Sequence, residues 1–169
     1  RTGLNLAGAV IKLALVGIMT WGVFHAHTYE MRWTLAPGLD LVLHADTLSI
    51  LFVILSTVLW LVTTVYAIGY LENSPHRSRF FGFFSLCFTS TVGLALAGNL
   101  VTFVLFYELL TLSTYPLVAH KGDAKALQGA RTYLGILLLT SIGFLLPAIL
   151  WTWVAAGTLE FRAGGILDG

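Results

Sequence analysis

The stretch FVLFYELLTLSTYPLV, residues 103–118, sets one carboxylate, Glu108, inside an otherwise aliphatic and aromatic run. Apolar sequence of similar character continues before it, so the window is long enough to cross about 30 Å of hydrocarbon as a helix. An ionised side chain near the centre of a bilayer costs about 2.5 to 3.5 kcal/mol even on the lenient insertion scale, a cost that packing alone does not require. The reading of this acid depends on whether the rest of the chain is membrane protein.

The composition says that it is. Hydrophobic residues make up 57% of the chain and charged residues 10%, with a mean hydropathy of +0.87, whereas a soluble domain carries about 25% charge. Windows of roughly 20 apolar residues occur at 4–24, 48–71, 80–98, 100–119 and 133–156. Backbone polar groups in lipid need partners within the segment, and barrel strands alternate rather than run apolar. The expected architecture is a single all-α polytopic membrane bundle of about five transmembrane helices, without a sheet. The longest non-helical stretch is expected over 25–46, where Pro37 and Gly38 mark a turn.

Basic residues orient the bundle. Arg77, Arg79, Lys121, Lys125 and Arg131 cluster in two connections, and with Arg1 they make six on one side against Arg32 and Arg162 on the other. By the positive-inside bias the first set is cytoplasmic, matrix or stromal, and Asn99 marks a tight hairpin on the outside. The absence of an initiator Met and of a cleavable leader makes the chain read as an internal fragment.

Soluble-enzyme motifs are missing: there is no phosphate loop, dinucleotide fingerprint, zinc signature or nucleophile elbow. The five histidines fall outside the windows, which argues against haem ligation within the bundle, and no cofactor, metal or nucleic-acid partner is implied. Cys87 is the single cysteine and reads as a small apolar core residue. Lys12 lies about 12 Å inside the first window at 1.5 Å per residue. Its favoured reading is a side chain snorkelling to the inner headgroups, with a functional lysine as the alternative. Asp46, just before TLSILFVIL, reads as a helix cap.

Glu108 differs from these, because it is too deep for its short side chain to reach water at either end. It must face protein or a wet cavity. On a helix, Thr111 and Tyr115 stand at i+3 and i+7 from it and line one stripe with the acid. Two readings stand: a proton or ion relay, which is favoured, and a protonated packing residue hydrogen-bonded across helices. Thr114 is expected to bond back to its own helix, and Pro116 to loosen the last turn.

The blocks LHADTLSILF, YAIGYL, RFFGFFSL, AGNLVTFVLFYELLTLSTYPLV and GTLEF, in that order, resemble the second to sixth helices of a known family. It comprises the antiporter-like subunits of respiratory complex I, Mrp-type sodium/proton antiporters and membrane-bound hydrogenases. The most specific piece is Asn99, then Glu108-Leu109-Leu110, then Ser113-x-Tyr115, similar to the family's proton-carrying helix. The resemblance implies a larger antiporter-like fold of about fourteen helices built on inverted repeats. It implies Glu108 as the acid of a first half-channel, paired with a lysine on a later helix. It also implies transport of protons, or of Na+ against protons, beside other membrane subunits and without a redox centre of its own. A bacterial inner membrane is the expected location, with mitochondrial inner and thylakoid membranes as alternatives. Thr114, Pro116 and the absence of an acid from the last window depart from the largest complex I subunits and lean towards Mrp-type or hydrogenase-type relatives. Lys12 has no counterpart in the motif. The rival classes are a purely structural membrane subunit and a quinone or electron-transfer subunit.

Overall fold

A computed structural model describes residues 2–25, 27, 29–36, 39–72, 76–162 and 164–166, with side chains in the first helix from residue 8. The elements run α1 (Thr2–Phe24), β1 (Tyr29–Ala36), β2 (Leu39–Ala45), α2 (Thr47–Tyr70), α3 (Arg77–Ala95), α4 (Leu100–Val118), α5 (Ala124–Thr140), a π-helical turn (Ser141–Leu145) and α6 (Leu146–Ala156). α1 packs on α2, α2 on α3, α3 on α4 and α4 on α5, with α3 against α4 the most extensive contact. The chain is a mostly helical membrane bundle. Two helices, α2 and α4, and the continuous 33-residue rod 124–156 are long and apolar enough to cross a membrane.

Local chemistry places the helix ends. Asp46 Oδ1 accepts from the Ser49 amide at 2.6 Å at the start of α2, and Asp123 Oδ1 accepts from the Ala126 amide at 2.6 Å at the start of α5. Gly157 ends α6 with φ 66°, the left-handed conformation that glycine adopts without strain. The π turn precedes Pro147, which has no N–H to offer the carbonyl one turn back. The Leu146 amide bonds instead to Ser141 O.

The expectation of a chain without a sheet is corrected. β1 and β2 pair as a two-stranded antiparallel hairpin with Glu30 opposite His44, Arg32 opposite Val42 and Thr34 opposite Asp40. Polar and apolar residues alternate along this segment, and that period of two suits a strand. Pro37 and Gly38, read as its turn, lie outside the described residues, as does Arg1. The hairpin is not free: the His44 amide bonds to Leu96 O at 2.7 Å and the Gly98 amide to Val42 O at 2.8 Å. These bonds end α3 three residues short of the expected 98. Gly98 is required there, because a Cβ on it would lie 2.7 Å from Val42 Cγ1. At its other end α3 begins earlier than expected, taking Arg77 and Arg79 into its first turn.

Candidate functional site

Asn99, read in sequence as a mark of a tight turn, is a junction. Its side-chain Oδ1 accepts from the Thr102 amide at 2.7 Å and caps α4, while Nδ2 donates to Asp40 O in β2 at 2.7 Å. One turn on, Thr102 Oγ1 accepts from the Val42 amide at 2.7 Å, and the Leu100 amide bonds to Leu159 O at 2.9 Å. The first turn of α4 is thus tied to the hairpin and to the segment after α6. Asn99 and Thr102 are buried.

Glu108 lies two turns further along α4, on a helix packed against both α3 and α5. Its Oε1 is buried and has no hydrogen-bond partner among the described residues. The expected stripe shares its helix, with Thr111 buried and Tyr115 half-buried. No hydrogen bond among the described residues joins either of them to the acid. Thr114 Oγ1 donates to Thr111 O at 2.8 Å, the back-bonding expected of it, and Ser113 Oγ donates likewise to Leu109 O. Close approach of α3 helps to hold this part of α4, because the Phe106 ring occupies the space a Cβ would take on Gly93.

Lys12 does not snorkel. Its Nζ sits 4.3 Å from the Trp60 ring centroid and 4.9 Å from that of Phe88. Those rings, with Ala9 of α1, form a buried cluster flanked by Leu61, Phe84 and Val92. Attraction to two ring faces holds the ammonium inside the bundle.

Sequence reading missed a charged hub at the hairpin. Arg32 donates to Glu160 at 2.6 Å, Asp40 at 3.2 Å and Glu30 at 3.3 Å. Glu160, then Asp40 and Glu30, hold its guanidinium cationic well above its ordinary range. Nearby, the Ser49 hydroxyl and amide hold the Asp46 carboxyl below its usual range. Glu30, Arg32, His44, Asp46, Glu160 and Arg162 line a cavity of about 540 Å³. A signal existed in the alternation of Glu30 and Arg32 along one strand, but its partner Glu160 lies 128 residues away.

Two family models match the chain: "NADH-Ubiquinone oxidoreductase (complex I), chain 5 N-terminus" over residues 33–81 and "NADH:quinone oxidoreductase/Mrp antiporter, TM" over residues 97–165. The chain is 28% identical over 174 aligned positions to an NAD(P)H-quinone oxidoreductase chain 5 from Picosynechococcus sp., covering 96% of this chain and 26% of that protein. It is 32% identical over 96 residues to a Na(+)/H(+) antiporter subunit A1 of Staphylococcus haemolyticus, covering 57% of this chain and 12% of that one. The Mrp complex from Dietzia sp. contains a chain that superposes with a TM-score of 0.70 and 26% identity, over 92% of this chain and 17% of its own length. The chain therefore spans about a quarter or less of the curated relatives it matches. These likenesses cover both the hairpin-to-α3 segment and the Glu108 segment, and the chain belongs to the family of antiporter-like membrane subunits shared by complex I and Mrp antiporters.

Proposed function

We propose that the chain is part of a subunit that moves protons, or exchanges Na+ for protons, within a complex I-like, Mrp-type or hydrogenase-type assembly, and that Glu108 is its proton carrier. The single observation that carries this reading is the buried, unpartnered Oε1 of Glu108 in the middle of α4. A carboxyl kept only for packing would be expected to have its buried oxygen satisfied across helices, and this one has no such bond among the described residues. An acid that must take up and release a proton needs a site free to exchange partners. Thr111 and Tyr115 belong to this reading as hydroxyls on the same helix that order water near the acid.

The names of the relatives support the assembly. Quinone oxidoreductase chain 5 and antiporter subunit A1 are components of larger membrane complexes, so other membrane subunits, the surrounding lipid, protons and Na+ are the proposed partners. All five helical rods are read as membrane crossings, with the connections around Arg77 and Lys125 facing the cytoplasm of a bacterial cell.

Glu108→Gln in the whole subunit, within its complex in sealed vesicles, tests the carrier. Gln keeps the size and hydrogen-bonding capacity but cannot ionise. Assembly is expected to persist and ion flux to fall at least tenfold at equal protein level. Full flux in the Gln variant would refute the reading.

A further inference from the structure

We propose that water reaches Lys12 from the face bearing the β-hairpin, and that its amine, held between Trp60 and Phe88, is a second proton-carrying group at mid-depth, separate from Glu108. This deepens the transport reading above and rests on it.

The depth of Lys12 comes first. It stands ten residues from the start and twelve from the end of α1, about 15 and 18 Å from the two ends at 1.5 Å per residue. Its half-buried side chain points into the cluster rather than along the helix to either surface.

The route is built from two cavities of about 540 Å³ each. One is the charged cavity under the hairpin. The other is an open, mostly apolar cleft that reaches deeper, between α2, α3 and the start of α4, with Leu48 and Phe52 exposed at its edge, and the two share Asp46, Ser49, Ala97 and Phe161. Ser56 of α2 and Thr91 of α3 line only the deeper one. α2 begins beside the hairpin and leads away from it, whereas α3 ends beside the hairpin. Counting from each helix, Trp60 is four residues beyond Ser56 and Phe88 three residues before Thr91. Both aromatic residues that hold Lys12 therefore lie one turn deeper than the hydroxyls, about 6 and 4.5 Å further in. Two helices of opposite direction converge on the same lysine.

A second observation points to water at this depth. The Trp60 indole N–H is buried without an acceptor among the described residues, on a residue only 8% exposed. Buried donors of this kind are ordinarily served by ordered water.

The environment of the amine suits proton exchange. Among the described residues no carboxylate pairs with Lys12. A lysine locked to a carboxylate would leave an unpaired buried charge each time it lost its proton. On ring faces the charged form gains the attraction of the π-systems and the neutral form fits an apolar wall. The step is transfer of one proton from hydronium in the route to the neutral amine, leaving water, and its later return.

The test uses the whole subunit in its complex, in sealed vesicles, with Cys87 replaced by alanine. Ser56→Cys and Thr91→Cys are each exposed to a membrane-impermeant cationic methanethiosulfonate added on the hairpin side. Both are expected to react at least tenfold faster than Leu55→Cys, at the same depth on the exposed side of α2. Rates no faster than that control would overturn the route. Lys12→Met and Lys12→Arg test the carrier. Arg keeps the cation over the rings but does not release its proton, so both variants should lose at least tenfold in flux. Full flux in Lys12→Arg would reduce Lys12 to a packing cation and overturn the proposal. Because the labelling is done with Lys12 intact, it decides the route even where a lysine variant fails to assemble. Labelled cysteines together with full flux in Glu108→Gln would sink the Glu108 reading and leave the route standing; unlabelled cysteines with no flux in Glu108→Gln would do the reverse.

Discussion

Replacing Asn99 by alanine should loosen the start of the Glu108 helix by an amount the geometry specifies. Asn99 is 4% exposed, and its two hydrogen bonds are both 2.7 Å long. Loss of the cap costs about 1 kcal/mol, within a range of roughly 0.5 to 2. Loss of the bond to the Asp40 carbonyl adds about 1 kcal/mol, and the Thr102 amide, on a residue with 0% exposure, is left without a partner at a further cost within about 1 to 3 kcal/mol. These costs overlap, because the cap and the orphaned amide describe one bond, so the sum is about 2 to 3 kcal/mol. At about 1.4 kcal/mol per factor of ten, local opening should become roughly 30- to 150-fold more frequent. Asn99→Asp separates the two bonds: it keeps the acceptor for the Thr102 amide but turns a carboxylate oxygen towards the Asp40 carbonyl in place of the donor, so the lost bond costs about 1 kcal/mol and the repulsion of the two oxygens adds to it, while the Thr102 amide stays protected. Hydrogen exchange at the Thr102 and Gly98 amides, in the whole subunit in lipid nanodiscs, measures both variants. Exchange in Asn99→Ala within twofold of the parent would refute the view that this one side chain fastens α4 to the hairpin.

Two further outcomes follow from packing and from charge. Gly93→Ala places a methyl group where the Phe106 ring lies, so overpacking should cost about 1 to 3 kcal/mol; Phe106→Leu in the same chain should restore part of it, and thermal unfolding that shows no loss in the single variant would contradict the contact. Asp46→Ala removes the α2 cap at a cost of about 1 kcal/mol near neutral pH. Because Ser49 holds the folded Asp46 carboxyl below its usual range, that contribution is fully present above the unfolded carboxylate value of about 3.9 and is lost as pH falls through the lower folded value. The gap in stability between parent and variant should therefore close in acid, and a gap of constant size down to acid pH would count against the capping bond.

The apolar windows, the cap at Asp46 and the place of Glu108 midway along an apolar helix were all legible in the sequence, because each depends on interactions within a few residues or on the run of apolar residues itself. A run of about 20 apolar residues is a helix in lipid whatever surrounds it, and an Asp before a helix meets its amides three residues on. The back-bonding of Thr114 is local for the same reason. What the tertiary structure alone decided was pairing between distant residues. Arg32 finds Glu160 across 128 positions, and Asn99 reaches Asp40 across 59. Neither partner is marked by spacing. The hairpin carries a local sign in the polar–apolar alternation of its strands, but its attachment to Leu96 and Gly98 at the end of α3 is one that no local pattern records. Lys12 was read towards the headgroups for a similar reason: the chemistry that favours snorkelling lies in its own side chain, whereas the rings of Trp60 and Phe88 that hold it belong to two other helices, brought to its side only when the bundle packs.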